Sequence, residues 1–211
     1  FQLPVWMHAL TASDSNRYAM SIARCVTNRP NIAVANCSYH GTIDETQKWS
    51  PAPGIIARYN EMPQYHGEVD QGCKIITWND LDSVEAALKD KSVAVLLLEP
   101  IMSNFGWAWP NETWHKDVRE LTKKYGTLLM YDETHTLGHA WNGSVGAQGI
   151  TDFDLWSCGK AISSGIPGAV FGMTREIADA CEAWQHEAGF FAGAGLGFIG
   201  NALTGNVMST T

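Results

Sequence analysis

Two stretches of the chain carry hydrophobic residues almost without interruption, Val93 to Leu98 and Thr127 to Tyr131, and both have the length of a strand. A run with no polar face suits a strand buried on both sides of a parallel sheet. Phe1 to Leu10, Ile32 to Asn36, Phe153 to Cys158 and Ala169 to Met173 read as further strands. Between them the period lengthens to that of a helix. Tyr18, Ile22 and Val26 recur every fourth residue behind the small polar cluster Thr11 to Asn16, whose side-chain oxygens can accept from the free N–H groups of a first turn. Leu81, Val84, Ala87 and Leu88 share one face behind Asn79 or Asp80. The same reading predicts helices at about 111–125, from Thr174 and from Asn201 onward.

Residues 46 to 73 contain Pro51, Pro53, Pro63, Gly54, Gly67 and Gly72 and show no clear period, which predicts a long irregular excursion. Such a loop is unusual unless it lines a site or an interface. Shorter irregular pieces are expected at Met102 to Pro110 and in the glycine-rich stretches 138 to 149 and 189 to 200. Strands alternating with helices place the chain in the α/β class, as a three-layer α/β/α unit with a mostly parallel sheet and right-handed crossovers. Ligands in such sheets sit beyond the carboxyl ends of the strands. Tyr39 and His40 follow one strand, Glu99 another, Asp132 a third and Lys160 a fourth. The helix that starts at Ser13 adds an anion site, although plain N-capping would also explain its polar residues.

Composition narrows the function classes. A net charge of −8 argues against a nucleic-acid or anionic-membrane surface. No apolar run reaches the roughly 20 residues that cross a bilayer, and no signal peptide or basic targeting start is evident. The five cysteines are odd in number, widely spaced and without a Cys-x-x-Cys pair, which points to a reduced, cytoplasmic setting. The chain opens on an apolar run at Phe1 and stops at Thr211 inside a helical pattern, so it reads as a fragment.

Lys160 is the most informative single residue. It stands among Gly, Ala, Ile, Ser and Pro, with no second charge until Arg175. A lysine amine is nucleophilic only when neutral, and an apolar setting or a nearby cation favours that form. The plainer alternative is a lysine that reaches from a strand end to water. An amine, a carboxylate, an aromatic ring and a phosphate cradle at one sheet edge suit pyridoxal phosphate. That cofactor needs a lysine for a Schiff base, an acid beside its ring nitrogen, a stacking surface and N–H groups for its phosphate.

Six motifs in order carry a resemblance to a known family. They are Thr11-Ala12-Ser13-Asp14-Ser15-Asn16, Tyr39-His40-Gly41, Glu99-Pro100, Asp132-Glu133-Thr134, Gly159 to Pro167, and Gly200-Asn201. The chain resembles the large domain of class III aminotransferases, the fold-type I pyridoxal-phosphate enzymes, and most of all the branch that contains glutamate-1-semialdehyde 2,1-aminomutase. The resemblance spans nearly all of residues 1–211, which it assigns to a single cofactor-binding large domain lacking the family's N-terminal arm and C-terminal small domain. It implies that Lys160 forms the Schiff base and moves the substrate proton, and that Asp132 pairs with the pyridinium nitrogen. Tyr39 would stack on one ring face with Thr134 behind the other. Ala12 and Ser13 would bind the phosphate, with His40 also at the cofactor. Glu99, Asn104 and His135 would line the substrate side. Amino donors and keto acids are the implied partners, and a homodimer is the implied state of the whole protein.

This chain departs from the family pattern at several points. Ala12-Ser13 stands where Gly-Thr is common, and Thr134 where Val is usual. Gly197 falls where a threonine usually reaches the neighbouring subunit's phosphate. Asn104 stands where many ω-amino-acid transaminases carry a second glutamate. The motifs do not separate a transaminase from an aminomutase; transaminase is the first expectation and aminomutase the second. A truncated relative without activity is a third. A metal-dependent hydrolase built on Asp132, Glu133, His135 and His139 is a competing reading, disfavoured because Gly138 and Gly143 break the helix that the histidine spacing needs.

Overall fold

A computed structural model of the chain describes residues 1–52, 55–58, 72–163 and 165–188. It contains a seven-stranded sheet and a separate two-stranded hairpin. The large sheet comprises β1 (Val5–Ala9), β2 (Asn31–Ala35), β5 (Cys73–Ile76), β6 (Val93–Leu98), β7 (Leu128–Asp132), β8 (Leu155–Cys158) and β9 (Ala169–Met173), in the order β1-β9-β8-β7-β6-β2-β5. Strands β5, β2, β6, β7 and β8 run parallel, β9 is antiparallel to β8, and β1 is antiparallel to β9. The antiparallel turn at β9 has a simple cause. Residues 159–168 are too few for the helical crossover that a parallel neighbour needs.

Helices cover both faces. On one side α1 (Ala12–Thr27) and α5 (Arg175–Glu187) pack Met20, Ile22, Ile177 and Cys181 onto Val34, Leu97, Met130 and Phe171. On the other, α2 (Leu81–Leu88), α3 (Trp114–Tyr125) and the single turn α4 (Gly143–Ala147) pack Val84, Leu88, Trp114 and Val145 onto Leu96, Leu129, Tyr131 and Trp156. This is the three-layer α/β/α arrangement that the pattern predicts. Three of the helices start as their sequences dictate. Thr11, Asp80 and Thr174 each accept the N–H three residues on.

Three differences from the sequence reading stand out. The end of the excursion forms an edge strand, β5, whose apolar pattern is interrupted by Lys74. That side chain reaches the Ala87 carbonyl at 2.8 Å and Asp90 at 2.6 Å. Lys48–Ala52 (β3) and Ile55–Arg58 (β4) make the antiparallel hairpin; residues 59–71 of the expected excursion lie outside the described residues. The buried face of α1 is also wider than the expected one. Ile22 is fully buried and Tyr18 and Val26 partly so, as expected, while Ser15, Asn16, Ala19, Met20 and Ala23 extend the stripe. The glycine-rich stretch 189 to 200 and the helix from Asn201 lie outside the described residues.

Candidate active site

The pleat of two adjacent strands sorts the chemistry at the sheet edge. Along β7, Met130 faces α1 while Leu129 and Tyr131 face α3. Successive side chains alternate, so Asp132 follows Met130 towards α1 and Glu133 turns to the opposite layer. Glu133 accepts from Ser144 N–H at 2.5 Å, Val145 N–H at 3.1 Å and Trp156 Nε1–H at 2.9 Å, which fixes the start of α4. Burial raises its carboxyl above the ordinary value, against the pull of those donors. Two adjacent acids thus serve different layers.

Asp132 is buried at 4% exposure and receives three contacts. Asn16 Nδ2 donates at 2.8 Å, His40 Nδ1 lies 3.1 Å away, and the Thr134 N–H donates at 3.0 Å. Burial pushes this carboxyl up, but the hydrogen bond and charge of His40 and the bonds from Thr134 outweigh it and hold the group below its usual value. Asn16 ties the arrangement together. Its amide also donates to the His40 carbonyl at 3.0 Å, and its oxygen accepts from Ser157 Oγ at 2.5 Å.

The start of α1 lies beside this acid. Ala12 and Ser13 occupy the first turn, where N–H groups have no intrahelical acceptor. Ser13 Oγ accepts the Thr42 N–H at 3.0 Å, which leaves its own proton free to donate. The fit is close. A Cβ on Gly41, at φ +98°, would lie 2.2 Å from Ser13 Oγ, and one on Gly159 would lie 2.9 Å from the Ala12 Cβ.

These groups line one open pocket of about 450 Å³, together with Tyr39, Thr134, Glu99, His135 and Lys160. Tyr39 is 41% exposed, so its ring is free to meet a ligand. Thr134 Oγ1 accepts the Gly159 N–H at 3.2 Å and thereby joins the ends of β7 and β8. Lys160 opens a 3-10 turn, Lys160–Ser163, in the left-handed region at φ +46°. Its small apolar neighbours line the pocket without enclosing the lysine, which is exposed. Among the described residues its amine has no hydrogen-bond or ion-pair partner.

Nine of the ten residues expected at the site therefore meet in this pocket: Ala12, Ser13, Tyr39, His40, Glu99, Asp132, Thr134, His135 and Lys160. Asn104 does not. It is exposed, outside the pocket lining, and reaches Glu99 Oε1 at 3.4 Å. Gly197, Gly200 and Asn201 lie outside the described residues. The metal-ligand reading finds no support in geometry: Glu133 belongs to the other layer and His139 packs on Trp107, with ring centroids 4.5 Å apart. Among the described residues no three His, Cys, Asp or Glu side chains gather as a metal site would require. Asn16, Ser157 and Ser103 were not singled out from the sequence. The first two had a legible signal, since a polar residue on a helix's buried stripe or inside a buried strand needs a partner.

The donor set fits pyridoxal phosphate. A buried carboxylate with a depressed pKa suits a protonated ring nitrogen, and an unpartnered amine in the same pocket suits an aldehyde. Free N–H groups at a helix start suit a phosphate.

A family model described as aminotransferase class-III matches residues 6–210. The glutamate-1-semialdehyde 2,1-aminomutase of Sulfurihydrogenibium azorense is 30% identical over 170 residues, which cover 79% of this chain and 40% of that protein. The structure of a glutamate-1-semialdehyde-aminomutase from Pseudomonas aeruginosa PAO1 superposes with a TM-score of 0.88 at 35% identity, covering 99% of this chain and 46% of that one. A lysine-to-alanine variant of the same enzyme in complex with PMP matches at 33% identity with the same TM-score and coverage. The chain spans less than half the length of these relatives.

Proposed function

Because the chain belongs to the class III aminotransferase family, we propose that it forms the cofactor-holding part of an enzyme that passes an amino group from an amine or amino acid to a keto acid. Pyridoxal phosphate, when bound, supplies a protonated ring that draws electrons from the bonds beside the substrate nitrogen. Asp132 would hold that ring nitrogen protonated, with Asn16 and His40 fixing the carboxylate. Tyr39 would cover one ring face and Thr134 the other. The Ala12 and Ser13 N–H groups and the Ser13 hydroxyl would hold the phosphate. Lys160 Nζ would attach the cofactor, then take the proton that leaves the substrate carbon and return it. A carboxyl group only 4% exposed and held by Asn16, His40 and the Thr134 N–H, in one pocket with an unpartnered amine, is the observation that carries this reading.

Reduction with borohydride in the presence of pyridoxal phosphate, followed by peptide mapping of the full natural chain, tests it. Label on Lys160 that vanishes in Lys160→Ala supports the assignment; label scattered over other lysines, or none, overturns it.

The names of the similar proteins favour a second reading, in which the amine returns to a neighbouring carbon of the same molecule. Both reactions use the same lysine, acid and stack. Turnover with an amino donor and pyruvate or 2-oxoglutarate separates them, because an aminomutase has no need of a keto acid. A chain that loads cofactor and turns over neither way would be the non-catalytic relative. We also place the protein in the cytoplasm, as a homodimer. Its five cysteines are free thiols, which fits a reducing compartment.

A further inference from the structure

A chain of hydrogen bonds enters the pocket from the end of β6. Glu99 is 3% exposed. Its Oε2 takes both the N–H of Ser103, at 3.1 Å, and the Ser103 hydroxyl, while Asn104 Nδ2 lies 3.4 Å from Oε1. The same Ser103 Oγ lies 2.5 Å from His135 Nδ1, and His135 lines the pocket with Lys160. A carboxylate only accepts, and a hydroxyl has one proton to give. With that proton spent on Glu99, Ser103 can only accept from the histidine, so Nδ1 must carry a hydrogen. We propose that Glu99 and Ser103 hold His135 as its Nδ1–H tautomer, leaving Nε2 as an unprotonated acceptor for the pocket, one that favours substrates bearing an N–H or O–H donor over those bearing a carboxylate.

The surroundings agree. Burial and then the charge of Lys160 lower the His135 pKa, with His40 adding to them and Glu99 and Asp132 opposing, which favours the neutral ring. A neutral ring nitrogen accepts from an N–H or O–H and gives a carboxylate nothing. Two acceptors facing each other leave both short of a donor, and that mismatch disfavours the carboxylate. His135 thereby touches substrate directly, while Ser103 and Glu99 act through it as positioning residues. The substrate part of this inference rests on the cofactor reading above; the tautomer part does not.

Long-range proton–nitrogen NMR of the histidine rings, in the full natural chain without cofactor, reads the tautomer directly. His135→Gln assigns the signals. The expected result near neutral pH is a protonated Nδ1 and a bare Nε2 in the native chain and in Ser103→Thr, which keeps the hydroxyl, with loss of that preference in Ser103→Ala. A protonated Nε2 in the native chain, or no change in Ser103→Ala, overturns the relay. With pyridoxal phosphate loaded, the preference for 1,2-diaminopropane over alanine, read from dissociation constants, should fall about tenfold or more in His135→Leu. An unchanged ratio overturns the selectivity. Borohydride labelling of the same samples tells the two failures apart. Label on Lys160 with the wrong tautomer or ratio sinks this proposal alone. Its absence from the native chain sinks the cofactor reading and the selectivity with it, and the tautomer still decides the relay.

Discussion

Asn16 supports three groups at once, the Asp132 carboxylate, the His40 carbonyl and the Ser157 hydroxyl, all of them buried. Replacing it with Leu would leave those groups short of partners in a dry setting, and we expect a loss of about 2–4 kcal/mol in denaturant unfolding. The Asp132 pKa should rise as well. His115 offers a test by pH. Its Nε2–H donates to the Pro100 carbonyl at 3.0 Å and its Nδ1 accepts from Tyr131 OH at 2.8 Å, so both ring nitrogens are committed to the neutral form. Burial lowers its pKa to about 4, against the bonds from Pro100 and Gln148. Unfolded chain takes up this proton near pH 6.5 and folded chain near 4. Stability should therefore be complete above that window and fall by about 3 kcal/mol as pH drops through it. A stability–pH curve that stays equally steep in His115→Gln would refute the assignment. Such partners were hidden in the sequence because each lies far along the chain. That Lys160, Asp132 and Tyr39 would share one pocket was legible because each follows a strand end, whatever its neighbours.

At the scale of elements, glycines show where helix and strand ends must touch. Gly143, at φ +69°, opens α4 directly against the Glu133 carboxylate, and a Cβ there would stand 2.4 Å from Oε2. Gly149 has a similar φ of +66° with nothing within 4 Å of the same added atom. The two substitutions to Ala share the backbone strain and differ only in the clash. Gly149→Ala should cost about 1 kcal/mol and Gly143→Ala roughly 2–4 kcal/mol in thermal unfolding; equal losses would mean that Glu133 yields easily. The elements themselves were largely readable. Val93–Leu98 and Ala169–Met173 match their predicted bounds. Strand β5 was missed because an edge strand needs only one apolar side, and the α1 face was read too narrowly because Asn16, a polar residue, shares the buried stripe with Ile22.

For the whole molecule, one pocket at the carboxyl edge of a mixed sheet gathers residues from near both ends of the described chain. The edge rule for parallel sheets made its position legible, whereas the antiparallel direction of β9 followed from a link length that the strand pattern alone does not weigh. If the pocket takes the cofactor, saturating pyridoxal phosphate should raise the melting temperature of the full natural chain by several degrees, as ligand binding to the folded state alone requires. A much smaller rise is expected in Lys160→Ala, and an equal one would show that attachment adds nothing to binding. The pairing of β1 with β9 has a consequence for synthesis. Val5 lies opposite Met173, and β1 runs straight into the helix whose first turn forms one wall of the pocket. On a ribosome, β1 emerges before β9 and has no strand to pair with until the chain has been made through Met173, whereas α1 can settle earlier on β2, β6 and β7. The β1 end of the pocket wall is thus fixed only after every other strand of the sheet has been made. Cofactor loading is therefore expected only after β9 has paired with β1, which timed capture of stalled nascent chains would check.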